Sequence, residues 1–418
     1  MSHRSRVRLL AYTALLAAVS SCDQGAPTAA APADSLAGGN PDGSLLAGGT
    51  FGGPLAGLTA DQLALFTRGS GEFQRVFTPE TGLGPLFNAV GCAACHEEPL
   101  PGGGGAHDPA EAGEDIEVHA TAFHAGATCD NLEAVGGQVI QKQVTPGLAA
   151  RGIGPEPVPP EATLPTALRT TPDLFGFGLL DAVPDQEILA LADPSDRNGD
   201  GISGRVHRLP DGRIGRFGRK AQEATLTEFN TGAFVMEMGI TNPGLLIEQT
   251  LHGTPLPDGV DLVGAEPELT QGEFDAADGF VHFLAPPPRL PLDLAGRTGA
   301  VIFVGIGCAA CHVPALVTGP SPVRALSLKI FLPYTDLLLH DMGPALADIC
   351  LGDALPSEFR TEPLMGLRFA TTFLHDGRAA TIAEAIRLHG GEASRTRDRF
   401  LRLSPGERFA LLRFLRSL

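Results

Sequence analysis

The hexapeptide GCAACH is written twice in this chain, at Gly91–His96 and at Gly307–His312, and its reading decides the fold. C-x-x-C-H is the attachment pattern of c-type haem. Two thiols at this spacing can form thioethers with the two vinyl groups of one porphyrin, and the adjacent histidine then faces the iron. Half of a zinc site would call for a second close cysteine pair, and none lies near either hexapeptide. A thioredoxin-like pair would call for a βαβ context and has no need of a histidine directly after the second cysteine. The spelling predicts two covalently bound haem c groups, one in each half. Cys92, Cys95 and His96 would hold the first, and Cys308, Cys311 and His312 the second.

The repeat extends beyond the hexapeptides. RTTPDLFG (Arg169–Gly176), GRFGRKA (Gly215–Ala221) and TLTE (Thr225–Glu228) follow the first; RTEPLMG (Arg360–Gly366), HDGRAA (His375–Ala380) and TIAE (Thr381–Glu384) follow the second. T-x-x-E is a capping box, so each half starts a helix at the corresponding point. The expected fold class is mainly α, with two cytochrome c-like haem domains and long irregular loops, in keeping with 53 Gly and 35 Pro among 418 residues. The expected division is a signal at 1–22, a flexible linker at 23–54, an N-terminal haem domain at 55–264 and a C-terminal one at 265–418. The cut near Gly264–Glu266 precedes the helix-like LTQGEFDAADGFVHFL. In TIAEAIRLHGG, Ile382, Ala385, Ile386 and His389 share one face of a helix that Gly390 and Gly391 end. His389 is there either a buried histidine bonded to backbone or a distal ligand to the second iron.

Composition narrows the partners. The net charge is −18, which excludes a nucleic-acid partner, because phosphate binding needs a basic face. It suits a small basic electron carrier. Basic MSHRSRVR precedes apolar LLAYTALLAAV and then SSC, too short a run to span a membrane. It resembles a bacterial lipoprotein signal, with Cys22 lipidated as the mature first residue, so the expected location is periplasmic with the membrane touched only through that anchor. The Ala/Pro/Gly-rich stretch after it reads as a tether. Of seven cysteines, Cys129 and Cys350 are left over, and an oxidising compartment allows them to pair.

DPSDRNGDGISGR (Asp193–Arg205) sets Asp196, Asn198 and Asp200 at alternate positions, with Gly201 at the turn. This is the opening of an EF-hand-like loop, in which the Ile202 carbonyl would be the next ligand to Ca²⁺. His207 stands where the closing glutamate would be, and an Asx-rich turn without an ion is the alternative.

With these motifs in place the chain resembles the di-haem oxidoreductase family, related to bacterial di-haem cytochrome c peroxidases. FRTEPLMGL, FLHDGRAATIAEAI, HGGEA, GLGPLFNAVGCAACH, GFGLLDAVP, NGDGISGR and LLLHDMGPALAD carry the likeness, which runs from about Leu58 to the C-terminus. The resemblance implies His96 and His312 as proximal ligands. His389 takes the place where those peroxidases usually have Met as the sixth ligand of the C-terminal haem. Bis-histidine ligation implies a lower potential than His/Met. The resemblance also implies a carboxylate near the N-terminal haem that moves a proton to the leaving oxygen of peroxide. Glu237, in FVMEMGITNPG, is the positional match, flanked by Met236 and Met238. Relatives commonly place Trp in the G-R turn, where this chain has Arg219, and the chain has no Trp at all.

Three functions follow as expectations. The first is a periplasmic peroxidase reducing H₂O₂ with electrons from a small donor protein, a cytochrome or a cupredoxin. The second is a di-haem electron carrier without catalysis, and the third an oxidase acting on a protein or thiol. What separates the first two is an open position on the N-terminal iron, which His107, His119 or His124 could close.

Overall fold

The computed structural model describes residues 46, 49–105, 115–124, 128–263 and 266–418. The signal and Cys22, most of the tether, His107 and the Gly264–Ala265 cut lie outside the described residues.

Helix α1 (Ala60–Phe73) starts at Thr59, whose hydroxyl and the Gln62 side chain form a reciprocal capping box. It crosses a later helix (Gln271–Phe283), which Thr270 and Glu273 cap in the same way. At the crossing Gly69 lies so close to the second helix that a Cβ there would stand 1.9 Å from the Ala276 carbonyl oxygen. Phe280 fills the seam, with ring centroids 5.1 Å from Phe66 and 4.8 Å from Phe73. The C-terminal half repeats this device. The helix Leu294–Ile306 crosses the last helix, Pro405–Leu415, and a Cβ on Gly299 would stand 2.0 Å from the Ala410 oxygen. Phe414 there fills the seam against Phe303 at 5.4 Å. Each fully buried Phe contributes roughly 1.5–3 kcal/mol of transfer free energy.

We number the principal helices α1, α2 (Asp185–Leu191), α3 (Leu226–Met238), α4 (Gln271–Phe283), α5 (Leu294–Ile306), α6 (Ile382–Leu388), α7 (Ser394–Arg402) and α8 (Pro405–Leu415). Both T-x-x-E signals open helices as expected: Thr225 caps α3 and Thr381 caps α6 through the Glu228 and Glu384 amides.

The expectation of a mainly α fold is overturned. The chain is 32% helical and 13% strand, with several small sheets, and is mixed α/β. The largest is a three-stranded antiparallel sheet with β1 (Ile116–His119) between β2 (Val139–Ile140) and β3 (Ala167–Thr170). A second pair, β4 (Leu339–Asp341) with β5 (Glu358–Arg360), lies in the C-terminal half. The strands form because the long connections alternate. Ile116-Glu117-Val118-His119-Ala120-Thr121-Ala122 alternates apolar and polar residue types, a period of two that suits a strand and not a helix.

The halves are packed into one body. The largest core joins Phe175, Leu179 and Phe280 to Leu316, Phe331 and Leu338, and a second gathers Phe303, Phe400, Leu411 and Phe414. Helix α4, which follows the expected cut, packs on α1 of the N-terminal half. The end of the tether is also docked: the Gly49 amide donates to Pro286 O at 3.1 Å, and Phe51 stacks on Phe369 at 4.1 Å. A Cys129–Cys350 disulfide joins the halves. Among the described residues no helix is long and apolar enough to cross a membrane.

Candidate haem sites

Each hexapeptide folds as a single 3₁₀ turn. The His96 amide donates to Cys92 O at 2.9 Å, and the His312 amide to Cys308 O at 3.0 Å. The second turn follows directly from α5, which ends on Gly307 at φ 102°, a left-handed value that glycine adopts without strain. Burial pushes the Cys92 and Cys308 thiols up to about 12.

Both histidines are anchored through Nδ1. His96 Nδ1 donates to Pro172 O at 3.0 Å and to Gly103 O at 3.1 Å. His312 Nδ1 donates to Tyr334 O at 3.0 Å. A proton fixed on Nδ1 leaves the Nε2 lone pair for a metal. Burial lowers both imidazoles, His312 to about 4, with His389 also opposing its protonation. Neutral rings are the state that ligates iron.

His389 is placed at the end of α6. Its Nδ1 donates to Ala385 O at 2.7 Å, which again frees Nε2. His312 and His389 line one cavity of about 290 Å³, with Cys308, Cys311 and apolar Phe303, Ile382 and Ile386. The donor set therefore fits a haem: two thiols, a histidine with its outer nitrogen free, a second such histidine and an apolar cradle. The backbone-bonded alternative for His389 is what the structure shows, and that bond orients the ring toward the cavity of His312. A close approach fixes this end of the helix, where a Cβ on Gly390 would lie 2.6 Å from Met342 O.

The N-terminal site differs. The Glu237 carbonyl accepts from the Asn88 and Ala89 amides at 2.7 and 3.1 Å, lacing the end of α3 to the segment just before Cys92. Asn88 Nδ2 donates to Glu237 Oε2 at 2.8 Å. Burial raises the Glu237 carboxyl well above its usual range, with Glu117 adding repulsion. Glu117, on β1, is the carboxylate that sequence reasoning missed. It accepts from His119 Nε2 at 2.7 Å and stands opposite Arg169 in the sheet. Burial works against its charge, but His119, His96 and Arg169 together hold it below the ordinary value. The alternation of IEVHATAF was the signal that could have found it. His119 is thus engaged by Glu117, and exposed His124 lies 3.3 Å from Asp130. Met238 sits in the core with Phe234 and Phe274.

Around the second hexapeptide, Cys311 Sγ lies 3.7 Å from His340 Nδ1. His340 is clasped by Asp336 at 2.9 Å and Glu392 at 2.8 Å. Glu392 also accepts from the Ser203 amide and hydroxyl at 2.9 and 2.7 Å, docking the 196–203 loop on the C-terminal half. In that loop the Gly201 amide donates to the Asp196 carboxylate at 3.1 Å, Asn198 Nδ2 to Asp200 Oδ2 at 3.0 Å, and the Ile202 amide to Asp200 Oδ1 at 2.9 Å. His207 is turned inward, Nδ1 donating to Lys220 O at 2.7 Å.

A family model described as "Di-haem oxidoreductase, putative peroxidase" matches residues 163–418. The chain belongs to this di-haem oxidoreductase family. It is an oxidoreductase of the di-haem type, with haem as its cofactor. The family match takes in the second hexapeptide, the Arg219 turn, Glu237 and His389. Among solved structures, the chain is similar to the hydrazine synthase of Kuenenia stuttgartiensis at 14% identity and a TM-score of 0.39, over 94% of this chain and 100% of that one. It is also similar to a MauG-like protein associated with microbial copper homeostasis at 15% identity and a TM-score of 0.40, over 88% and 93%. No curated protein matches the chain.

Proposed function

We propose that this di-haem oxidoreductase is a periplasmic c-type peroxidase, lipid-anchored through Cys22, that reduces H₂O₂ with electrons from a small cytochrome or cupredoxin. The observation that carries the reading is the unlike surroundings of the two anchored histidines. His312 shares its cavity with a second free-Nε2 histidine, His389, whereas His96 has the carboxylate of Glu117 acting on it, and Glu117 acts in turn on the buried carboxyl of Glu237.

In this reading thioethers to Cys92 and Cys95, and to Cys308 and Cys311, hold the two haems. The haems would supply electron storage and the scission of the O–O bond. H₂O₂, two electrons and two protons give two waters, so the chain must deliver protons to a dry site. Glu237 is suited to this, because a buried carboxyl whose pKa is raised holds its proton to higher pH and can donate where an ordinary one cannot. Asn88 fixes one carboxyl oxygen and leaves the other to carry the proton. Glu117, held ionised by His119, would keep the pair from losing that proton early. His389 would close the second iron and restrict it to electron transfer. A Ca²⁺ held by Asp196, Asn198, Asp200 and the Ile202 carbonyl belongs to the same reading and would brace the loop that Glu392 holds.

Low-temperature EPR of the haem-loaded protein, fully oxidised and after one electron equivalent, tests this. A high-spin ferric signal in either sample, lost on changing His96 and kept on changing His312, is expected. Low-spin signals alone in both samples would turn the reading to an electron carrier.

A further inference from the structure

A run of hydrogen bonds and short backbone links joins His96 to His312 across the contact between the halves. His96 Nδ1 donates to Pro172 O at 3.0 Å. Two residues before Pro172, Thr170 O accepts from Arg219 Nη2 at 2.8 Å. Arg219 Nη1 meets Glu362 Oε2 at 2.9 Å. Thr361, next to Glu362, accepts through its carbonyl from Thr335 Oγ1 at 2.6 Å. Tyr334, next to Thr335, accepts from His312 Nδ1 at 3.0 Å. The only side-chain ion pair in this run is Arg219–Glu362, and both residues line the cavity that holds His312 and His389.

The pair is oriented. Arg219 hangs from the strap that anchors His96, and Glu362 stands one residue from the strap that supports Tyr334 and His312. Arg360 Nη2 grips the same Glu362 oxygen at 2.8 Å and ties the group to Gly218 O through Nε at 2.9 Å. Burial works against the Glu362 charge, but the two guanidiniums keep its carboxyl ionised, below the usual value. A fixed positive charge stabilises the reduced state of a nearby iron and a negative one the oxidised state, more strongly in a cavity than in water.

We propose that the Arg219–Glu362 pair is a polarised bridge that biases a shared electron toward the N-terminal site. The step is an exchange within the chain: the C-terminal site loses one electron as the N-terminal site gains it, with no proton moved and no outside reagent consumed. Arg219 and Glu362 are positioning residues in this step. The inference rests on the reading of both hexapeptides as haem sites, and it stands whether or not peroxide is the substrate.

The test uses the full haem-loaded chain carrying two haems, reduced by one electron equivalent, with the share of the electron at each site read by EPR and by optical redox titration. R219Q and E362Q are each expected to move the partition at least tenfold toward the C-terminal site, equal to 59 mV for one electron. R219K, which keeps the charge, should stay within about threefold of the parent by the same relation. A partition unchanged in both neutral variants, with two haems still bound, overturns the proposal. If R219Q does not load both haems, E362Q decides alone, since glutamine keeps the carboxyl's shape. A parent chain with fewer than two haems overturns the haem reading itself, and this inference with it.

Discussion

The two halves cross their helices alike and surround their histidines differently. Gly69 under Ala276 and Gly299 under Ala410 are the same contact made twice, with Phe280 and Phe414 one turn further on. Each crossing presents a hexapeptide turn whose histidine is anchored through Nδ1. Beyond that the halves part. The N-terminal half inserts the β1–β2–β3 sheet, which brings Glu117 and His119 toward His96 and Glu237. The C-terminal half has the β4–β5 pair, and α6 delivers His389 into the cavity of His312. The lesson is that the same hexapeptide turn anchors a histidine alike in each half and leaves what stands around that histidine to the connections.

The largest test of that contrast is Glu237→Gln, which keeps the Asn88 contact and removes the transferable proton. Peroxide turnover should fall by roughly 10²–10⁴-fold, while the haem content and the low-spin signal of the C-terminal site stay as they were. Because the Glu237 carboxyl is raised and its protonated form is the active one, turnover in the parent should decline as pH rises through its pKa. That limb should vanish in the variant, and a pH profile left unchanged would remove Glu237 from the reaction.

Next in size is the covalent tie between the halves. Cys350→Ser, with Cys129→Ser, opens a link that spans a sequence separation of 221. It should lower the unfolding free energy by roughly 2–5 kcal/mol, read by urea titration. An effect under about 0.5 kcal/mol would mean that the shared core alone holds the halves together.

The matched glycines ask whether the crossings are equal in energy as well as in shape. Gly69→Ala and Gly299→Ala each force a Cβ into a carbonyl, and overpacking of this kind costs about 1–3 kcal/mol against a helix-propensity gain of about 1. Similar losses in thermal unfolding are expected. A loss at one site only would show that the other crossing can slide.

The smallest expected effect tests the ligand difference. His389→Met should raise the potential of the C-terminal site by at least about 59 mV, a tenfold change in its electron affinity, and leave the N-terminal signal in place. If the C-terminal spectrum does not respond, His389 is not opposite His312 in the loaded protein.

The sequence alone determined what is local. The two hexapeptide turns, the capping of α3 by Thr225 and of α6 by Thr381, and the placing of His389 at the end of an apolar helix face all follow from spacings within a few residues, where period and capping chemistry decide. It did not determine the fold class. The strands between His119 and Thr170 lie in stretches rich in glycine and proline, and their alternation runs for only a few residues. Only the tertiary structure brought Glu117 toward His96, packed α4 on α1 within a core that also takes in the C-terminal half, and set Arg219 against Glu362. Those contacts join residues far apart in the chain, and their partners are fixed by strand register, core packing and the balance of buried charge, none of which a linear spacing records.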